Sequence, residues 1–173
     1  DYGSQEYWEK RYQDSQEPFE WYFGWQKIED EIKSFFEGKE LALNIGCGNS
    51  EMSEDMFKSG IQTVVSIDIS QIVIDQMSEK YKNNKNLLFF KMDCTDMEFK
   101  DDLFDIVIDK GTFDAILCGN DQAQKICDSI DEIWRILKNG GIFIEITHAE
   151  PKKRIDLFKS TSENWKFYET KKI

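Results

Sequence analysis

The chain has 173 residues, 40% of them hydrophobic and 14% aromatic, which is enough apolar material for one packed domain over 1–173. Its formal net charge is -12, with no notable cluster of lysine or arginine, so nucleic acid is disfavoured as a partner and a basic protein segment is favoured. No apolar run is long enough to span a membrane, and four cysteines without CxxC spacing beside one histidine, His148, argue against a zinc site. With no signal-peptide pattern and thiols that read as small buried hydrophobes, the expected compartment is reducing, either cytoplasm or nucleus.

The first 38 residues read as an aromatic and helical cap. Ser4 is placed to cap a helix over 4–13, where Trp8 and Tyr12 stand four apart and share a face. Residues 18–25, PFEWYFGW, hold five aromatics, which on composition alone cover an edge of a sheet. Ile28, Ile32, Phe35 and Phe36 give helical spacing over 27–36, and Gly38 sits where a C-terminal cap belongs.

Next comes LALNIGCGNS at 41–50. Leu41, Ala42, Leu43 and Ile45 suit a strand buried on both faces, Gly46 and Gly48 turn it, and Asn49 and Ser50 can cap a helix over 51–58. Strand, glycine turn and helix start are the parts of a nucleotide-type crevice, although such a turn also occurs without a ligand. A second buried strand over 62–68 ends at Asp68, at the spacing of roughly 20 residues after Gly46 where an acid accepts from ribose hydroxyls. Ser70 is the better cap for the helix that follows, over 71–81.

Two more strands end in acids. LLFFKM at 87–92 runs into Asp93 and Cys94, and an apolar strand over 103–108 runs into Asp109, Lys110, Gly111 and Thr112. One acid at a strand end is unremarkable, because polar residues begin where burial stops. Three in succession on the edge that also carries the glycine turn point to a ligand. An amphipathic helix over 121–137, a fifth strand over 141–147, a short helix over 151–159 and an alternating strand over 165–170 complete an α/β, doubly wound, mostly parallel sheet with helices on both faces. A lone histidine such as His148 is more often hydrogen-bonded or exposed than catalytic.

LNIGCGNS, SIDIS, KMDCTDM and DIVIDKGTFDA, in that order, resemble the class I (seven-β-strand) S-adenosylmethionine-dependent methyltransferases, which have a Rossmann-like fold. EYWEKRY at 6–12, FEWY at 19–22, GCGNSEMSE at 46–54 and DKGTFDA at 109–115 are similar to the eukaryotic group that includes the lysine methyltransferases of translation elongation factor 1-alpha. The resemblance implies that Gly46 and Gly48 admit the methionine part of the cofactor. It gives the ribose to Asp68, with Ile69 against the adenine and Asp93 and the Cys94 backbone on its edge. Trp8, Tyr12 and Trp21 then close over the cofactor, and Lys110 lines the same pocket. The implied reaction is methyl transfer to a lysine side chain of a basic protein, with Asp109 as the candidate to orient the amine or receive its proton. Small-molecule methylation and a catalytically silent cofactor-binding scaffold are the alternatives. The family's final antiparallel strand has no counterpart before Ile173, so a sheet lacking it, with an open edge beside the fifth strand, is expected. A nicotinamide or flavin enzyme fits less well, because Glu51 stands where the third glycine of GxGxxG falls. A nucleic-acid amino-methyltransferase is expected to carry an Asp/Asn-Pro-Pro-aromatic loop, and here the segment reads DKGT.

Overall fold

The computed structural model describes residues 2–167 and 169–171. Five strands, β1 (Leu41–Ile45), β2 (Thr63–Asp68), β3 (Leu87–Lys91), β4 (Phe104–Lys110) and β5 (Leu137–Ile146), form one sheet in the order β3-β2-β1-β4-β5, and every pairing is parallel. Side-chain alternation sends Ala42, Val64, Ile106 and Ile108 to one face and Leu43, Val65, Ile67 and Val107 to the other. Each face therefore needs its own helical cover. The first is covered by α1 (Gln5–Asp14), α2 (Glu29–Ile32), α3 (Met52–Lys58) and α4 (Gln71–Lys80). The second is covered by α5 (Thr112–Ile116), α6 (Gln122–Ile136) and α7 (Pro151–Thr161), with Ile126, Ile130, Ile133 and Ile136 of α6 buried in a row. One polar link crosses the first face: Asn44 Nδ2 donates to Ser53 Oγ at 2.9 Å, and Ser53 Oγ lies 2.8 Å from Ser66 Oγ.

Several elements differ from expectation. The helix over 27–36 is broken into a 3-10 turn at Trp25–Lys27, the single turn α2 and a second 3-10 turn at Lys33–Phe36. No side chain caps it, so packing decides the backbone, and Trp25, Ile28, Ile32 and Phe36 are all buried. Strand β5 begins at Leu137, where α6 ends. Leu137 pairs with Phe104 and Ile142 with Ile106, so the Asn139-Gly140-Gly141 run, which lies between the expected helix over 121–137 and the body of the expected strand over 141–147, is a bulge within the strand, with Gly140 at φ +77°.

No strand forms over 165–170 among the described residues, and Tyr168 of that segment lies outside them. Trp165 instead packs edge-on against Trp134 at 4.9 Å and against Phe158 at 5.4 Å, so aromatic burial on α6 and α7 replaces pairing with the sheet. The described sheet contains no antiparallel strand.

Candidate functional site

Because the chain passes from β1 outward to β3 and then returns to β4 beside β1, the strand order reverses between β1 and β4. A crevice opens there, at the carboxyl ends of the strands. A cavity of about 120 Å³ occupies it. Trp8, Tyr12, Trp21, Gly46, Gly48, Asp68, Ile69, Asp93, Cys94 and Lys110 all line this cavity, so the structure brings together residues spread over more than half the sequence. The aromatic segment is therefore a wall of the cavity and not a cover for a sheet edge.

The glycine turn owes its identity to sterics. Gly46 and Gly48 have φ +58° and +52°, a region that side chains disfavour. A Cβ on Gly46 would lie 2.1 Å from Thr112 Oγ1, whose hydroxyl donates to the Ile45 carbonyl at 3.0 Å. On Gly48 it would lie 2.7 Å from Tyr12 Oη. Gly46→Ala is expected to cost about 1–2 kcal/mol from the backbone alone, and with the clash to lower Tm by roughly 5 °C or more. A melting curve within about a degree of wild type would show that the turn relaxes freely.

Asp68 is buried and already engaged. Its Oδ2 accepts from the Gly48 N–H and its Oδ1 from the Ser70 N–H, both at 2.9 Å. It thus fastens the glycine turn to the exit of β2 while still facing the cavity. Burial pushes this carboxyl up to about 6, against the pull of those two N–H groups. The same burial, reinforced by the Asp68 charge, holds the Tyr12 hydroxyl and the Cys47 thiol well above their ordinary values. Asp93 is exposed, and its Oδ1 accepts from both the backbone N–H and the hydroxyl of Thr95 at 2.9 Å. Cys94 is buried 3.4 Å from Ser129 Oγ, its thiol pushed up to about 12 by burial.

One expected role changes, that of Asp109, and Lys110, which lines the cavity, has a second task. Lys110 is paired with the Glu20 carboxylate, and its ammonium stands 3.4 Å from the carbonyls of Trp21 and Phe23. It straps the aromatic segment to the sheet. Asp109 has no exposed surface and does not line the cavity; its Oδ1 and Oδ2 accept from the N–H groups of Thr112 and Phe113 at 2.7 and 3.2 Å. The structure therefore places Asp109 at the start of α5 as a helix cap, sealed from any acceptor. Asn49, expected to cap α3, instead accepts from the Phe19 N–H at 3.0 Å and donates to the Glu17 carbonyl at 2.7 Å; Ser50 Oγ takes the Met52 N–H at 3.1 Å.

Sequence reading missed the fastenings of the cap. Glu9 reaches from α1 to the start of α4, accepting from Ser70 Oγ at 2.7 Å, the Gln71 N–H at 3.0 Å and the Ile72 N–H at 3.3 Å. Burial opposes its charge, but these donors hold the carboxyl below its usual value. It also missed a network around Asp114 that joins Tyr22, Thr147, His148 and Arg154. Nothing in local spacing connects those positions.

A cavity at the strand-order reversal, walled by a glycine turn, strand-end acids and aromatic rings, defines an α/β domain for a nucleoside-type cofactor. Residues 43–144 match the family described as a methyltransferase domain. The chain belongs to this methyltransferase family, whose fold implies S-adenosylmethionine as cofactor. It is 38% identical over 174 residues to the eEF1A lysine and N-terminal methyltransferase of Bos taurus, matching 95% of this chain and 24% of that protein. It is 30% identical over 179 residues to EEF1A lysine methyltransferase 4 of Mus musculus, matching 98% of this chain and 70% of that protein. The chain thus spans about a quarter of the length of the first of these relatives. In fold it is similar to the PH0226 protein of Pyrococcus horikoshii OT3, with TM-score 0.62 and 24% identity over 79% of this chain and 58% of that one. No helix among the described residues is long and apolar enough to cross a membrane, and no group of three or more potential metal ligands occurs among them.

Proposed function

We propose that this chain transfers the methyl group of S-adenosylmethionine to an amine of a basic protein, a lysine side chain of translation elongation factor 1-alpha in the first instance, in the cytoplasm. The observation that carries this reading is the cavity itself. It combines backbone room at Gly46 and Gly48, a buried carboxylate at Asp68 and the electron-rich rings of Trp8, Tyr12 and Trp21. The relatives' names supply the acceptor. S-adenosylmethionine brings a methyl group activated by the positive charge on its sulfur, so the protein has mainly to hold, align and keep out water. Aromatic faces and nearby carboxylates suit that cation. Asp68 would take the ribose hydroxyls, Asp93 and the Cys94 backbone the adenine edge, and Ile69 the adenine face. The charge of -12 would help collect a lysine-rich surface.

The experiment has two arms. S-adenosylhomocysteine is expected to raise Tm, by a stabilisation of about 2.7 kcal/mol at a hundredfold excess over Kd, and nicotinamide dinucleotides are expected to leave it unchanged. Labelled cofactor, incubated with the chain and purified elongation factor 1-alpha, is expected to mark a lysine that mass spectrometry can map. No Tm response to S-adenosylhomocysteine would reject the cofactor reading, and label found only on small molecules would reject the protein acceptor.

A further inference from the structure

Beside the cavity lies a polar cluster of Tyr22, Asp114 and His148, none of which lines the cavity itself. Tyr22 stands at φ +64°, a conformation that costs a non-glycine residue about 1 kcal/mol. That turn lays its ring over Gly111, where a Cβ would meet the ring at 3.4 Å, and Gly111 lines the cavity. The Tyr22 hydroxyl is 2.5 Å from Asp114 Oδ2 and 2.9 Å from His148 Nδ1, and His148 Nδ1 is also 3.3 Å from Asp114 Oδ2. Asp114 itself is buried. It accepts from Thr147 Oγ1 at 2.8 Å and pairs with Arg154, whose Nε lies 2.8 Å from Glu145.

The proton count fixes the imidazole. Burial opposes the Asp114 charge, but Tyr22, Thr147 and Arg154 hold its carboxyl below the ordinary value, so it is an acceptor only. Tyr22 therefore gives its single proton to Asp114 and has only lone pairs for His148. In the neutral imidazole, Nδ1 of His148 therefore carries the hydrogen and Nε2 the lone pair. The ring is thus oriented by a buried carboxylate at one nitrogen, while 71% of its side-chain surface is exposed.

We propose that His148 is the general base of the transfer, with Tyr22 and Asp114 as positioning residues. This rests on the amine-acceptor reading above. The acceptor arrives as an ammonium; His148 Nε2 takes one proton and leaves a neutral amine whose lone pair forms the new nitrogen–carbon bond. The sulfur keeps the electron pair of the bond that breaks, and the imidazolium passes its proton to water. The groups at the ring are the Asp114 carboxylate from α5 and the Tyr22 hydroxyl from the N-terminal segment; behind Asp114 stands Arg154 from α7, which is paired in turn with Glu145 from β5, and Glu150 lies just beyond in the chain.

Since His148 is the sole histidine, ¹⁵N-histidine labelling gives one ring to observe in the whole chain. NMR is expected to show hydrogen on Nδ1 in the neutral form, and Tyr22→Phe, which keeps the ring over Gly111 and loses only the hydroxyl, is expected to shift the tautomer ratio. A ring carrying its hydrogen on Nε2 in the unsubstituted chain would overturn the proposal. In the transfer assay, His148→Gln is expected to lower kcat at pH 7 by about 10² or more, with S-adenosylhomocysteine affinity unchanged. The deficit should shrink as pH approaches ~10, where the acceptor lysine loses its proton unaided. An unsubstituted chain that methylates protein while His148→Gln matches it, or shows the same deficit at every pH, rejects the base alone. An unsubstituted chain that transfers to no amine rejects the amine reading and the base with it.

Discussion

Asp68→Asn is expected to weaken S-adenosylhomocysteine binding at least about tenfold while the chain remains folded, because charged hydrogen bonds contribute about 1.5–3 kcal/mol each. The carboxylate has two oxygens and uses both, one on the Gly48 N–H and one on the Ser70 N–H. An amide has one oxygen, so one of these two donors must face an NH2 group. The glycine turn loses a fastening, and the ribose that the proposed function sets on Asp68 would lose a negatively charged acceptor. Against this, the substitution removes a buried charge, so Tm should move far less than affinity does. The pH dependence separates the two effects. With its carboxyl raised from 3.8 to about 6, Asp68 adds stability that is fully present below about 3.8 and lost as pH rises through about 6. Asp109, raised to about 6 by the same burial, contributes with the same sign, so stability alone cannot single out Asp68. Ligand affinity can. Ribose hydroxyls favour the ionised acceptor, so affinity in the unsubstituted chain should fall as pH drops below about 6 and stay flat in Asp68→Asn. Calorimetric titrations at pH 5 and 7.5 test this, and equal affinities for both chains at pH 7.5 would remove Asp68 from the binding site.

The sheet was legible because its signal is local. An apolar run ending in a glycine turn gave β1 and apolar runs ending in acids gave β2 to β4, each to within two residues, and the parallel pairing followed from helices alternating with strands. Where local rules failed, tertiary packing had overridden them. The bulge at 138–141 places two glycines in a strand, and Trp165 leaves an alternating pattern to stack on Trp134 and Phe158. The cavity lining was legible through resemblance more than through chemistry, since Trp8, Tyr12 and Trp21 carry no signal of what they cover. Asp109 shows the limit of the strand-end argument. The same position that suits an acid facing a ligand also suits one facing the first N–H groups of the next helix, and α5 was too short to be seen in the sequence. Lys110 and His148 were both visible as residues; Glu20 lies 90 positions from Lys110, and Asp114 and Tyr22 lie 34 and 126 positions from His148, and no spacing rule reaches that far.

Lys110→Met is expected to open the aromatic segment and with it the cavity. Lys110 is the residue through which β4 holds that segment: its ammonium is buried, pairs with Glu20 and touches the carbonyls of Trp21 and Phe23. Removing one partner of a buried pair costs about 3–5 kcal/mol, because the other charge is left without compensation. Glu20 has 31% of its side chain exposed and keeps the Glu51 N–H at 3.1 Å, so the lower end, about 3 kcal/mol, is the appropriate figure. The loss should fall on the segment before it falls on the fold. Residues 17–23 are otherwise held by Asn49, by Glu20 on the Glu51 N–H, by Tyr22 on Asp114 and His148 and by ring contacts, whereas the sheet beneath has its own two cores. Chymotrypsin cleavage within 19–23 should therefore accelerate by at least about tenfold, since cleavage of a locally opened segment follows its equilibrium population and each 1.4 kcal/mol is a factor of ten. Affinity for S-adenosylhomocysteine should fall with it, because Trp21 leaves the wall of the cavity. The companion variant Lys110→Met with Glu20→Gln isolates the cause: without a stranded carboxylate, part of the protection should return. Cleavage at the unsubstituted rate in Lys110→Met would mean that the ion pair is not the anchor, and would pass that role to the hydrogen bonds of Asn49 and Tyr22 and the rings of Trp8 and Trp21.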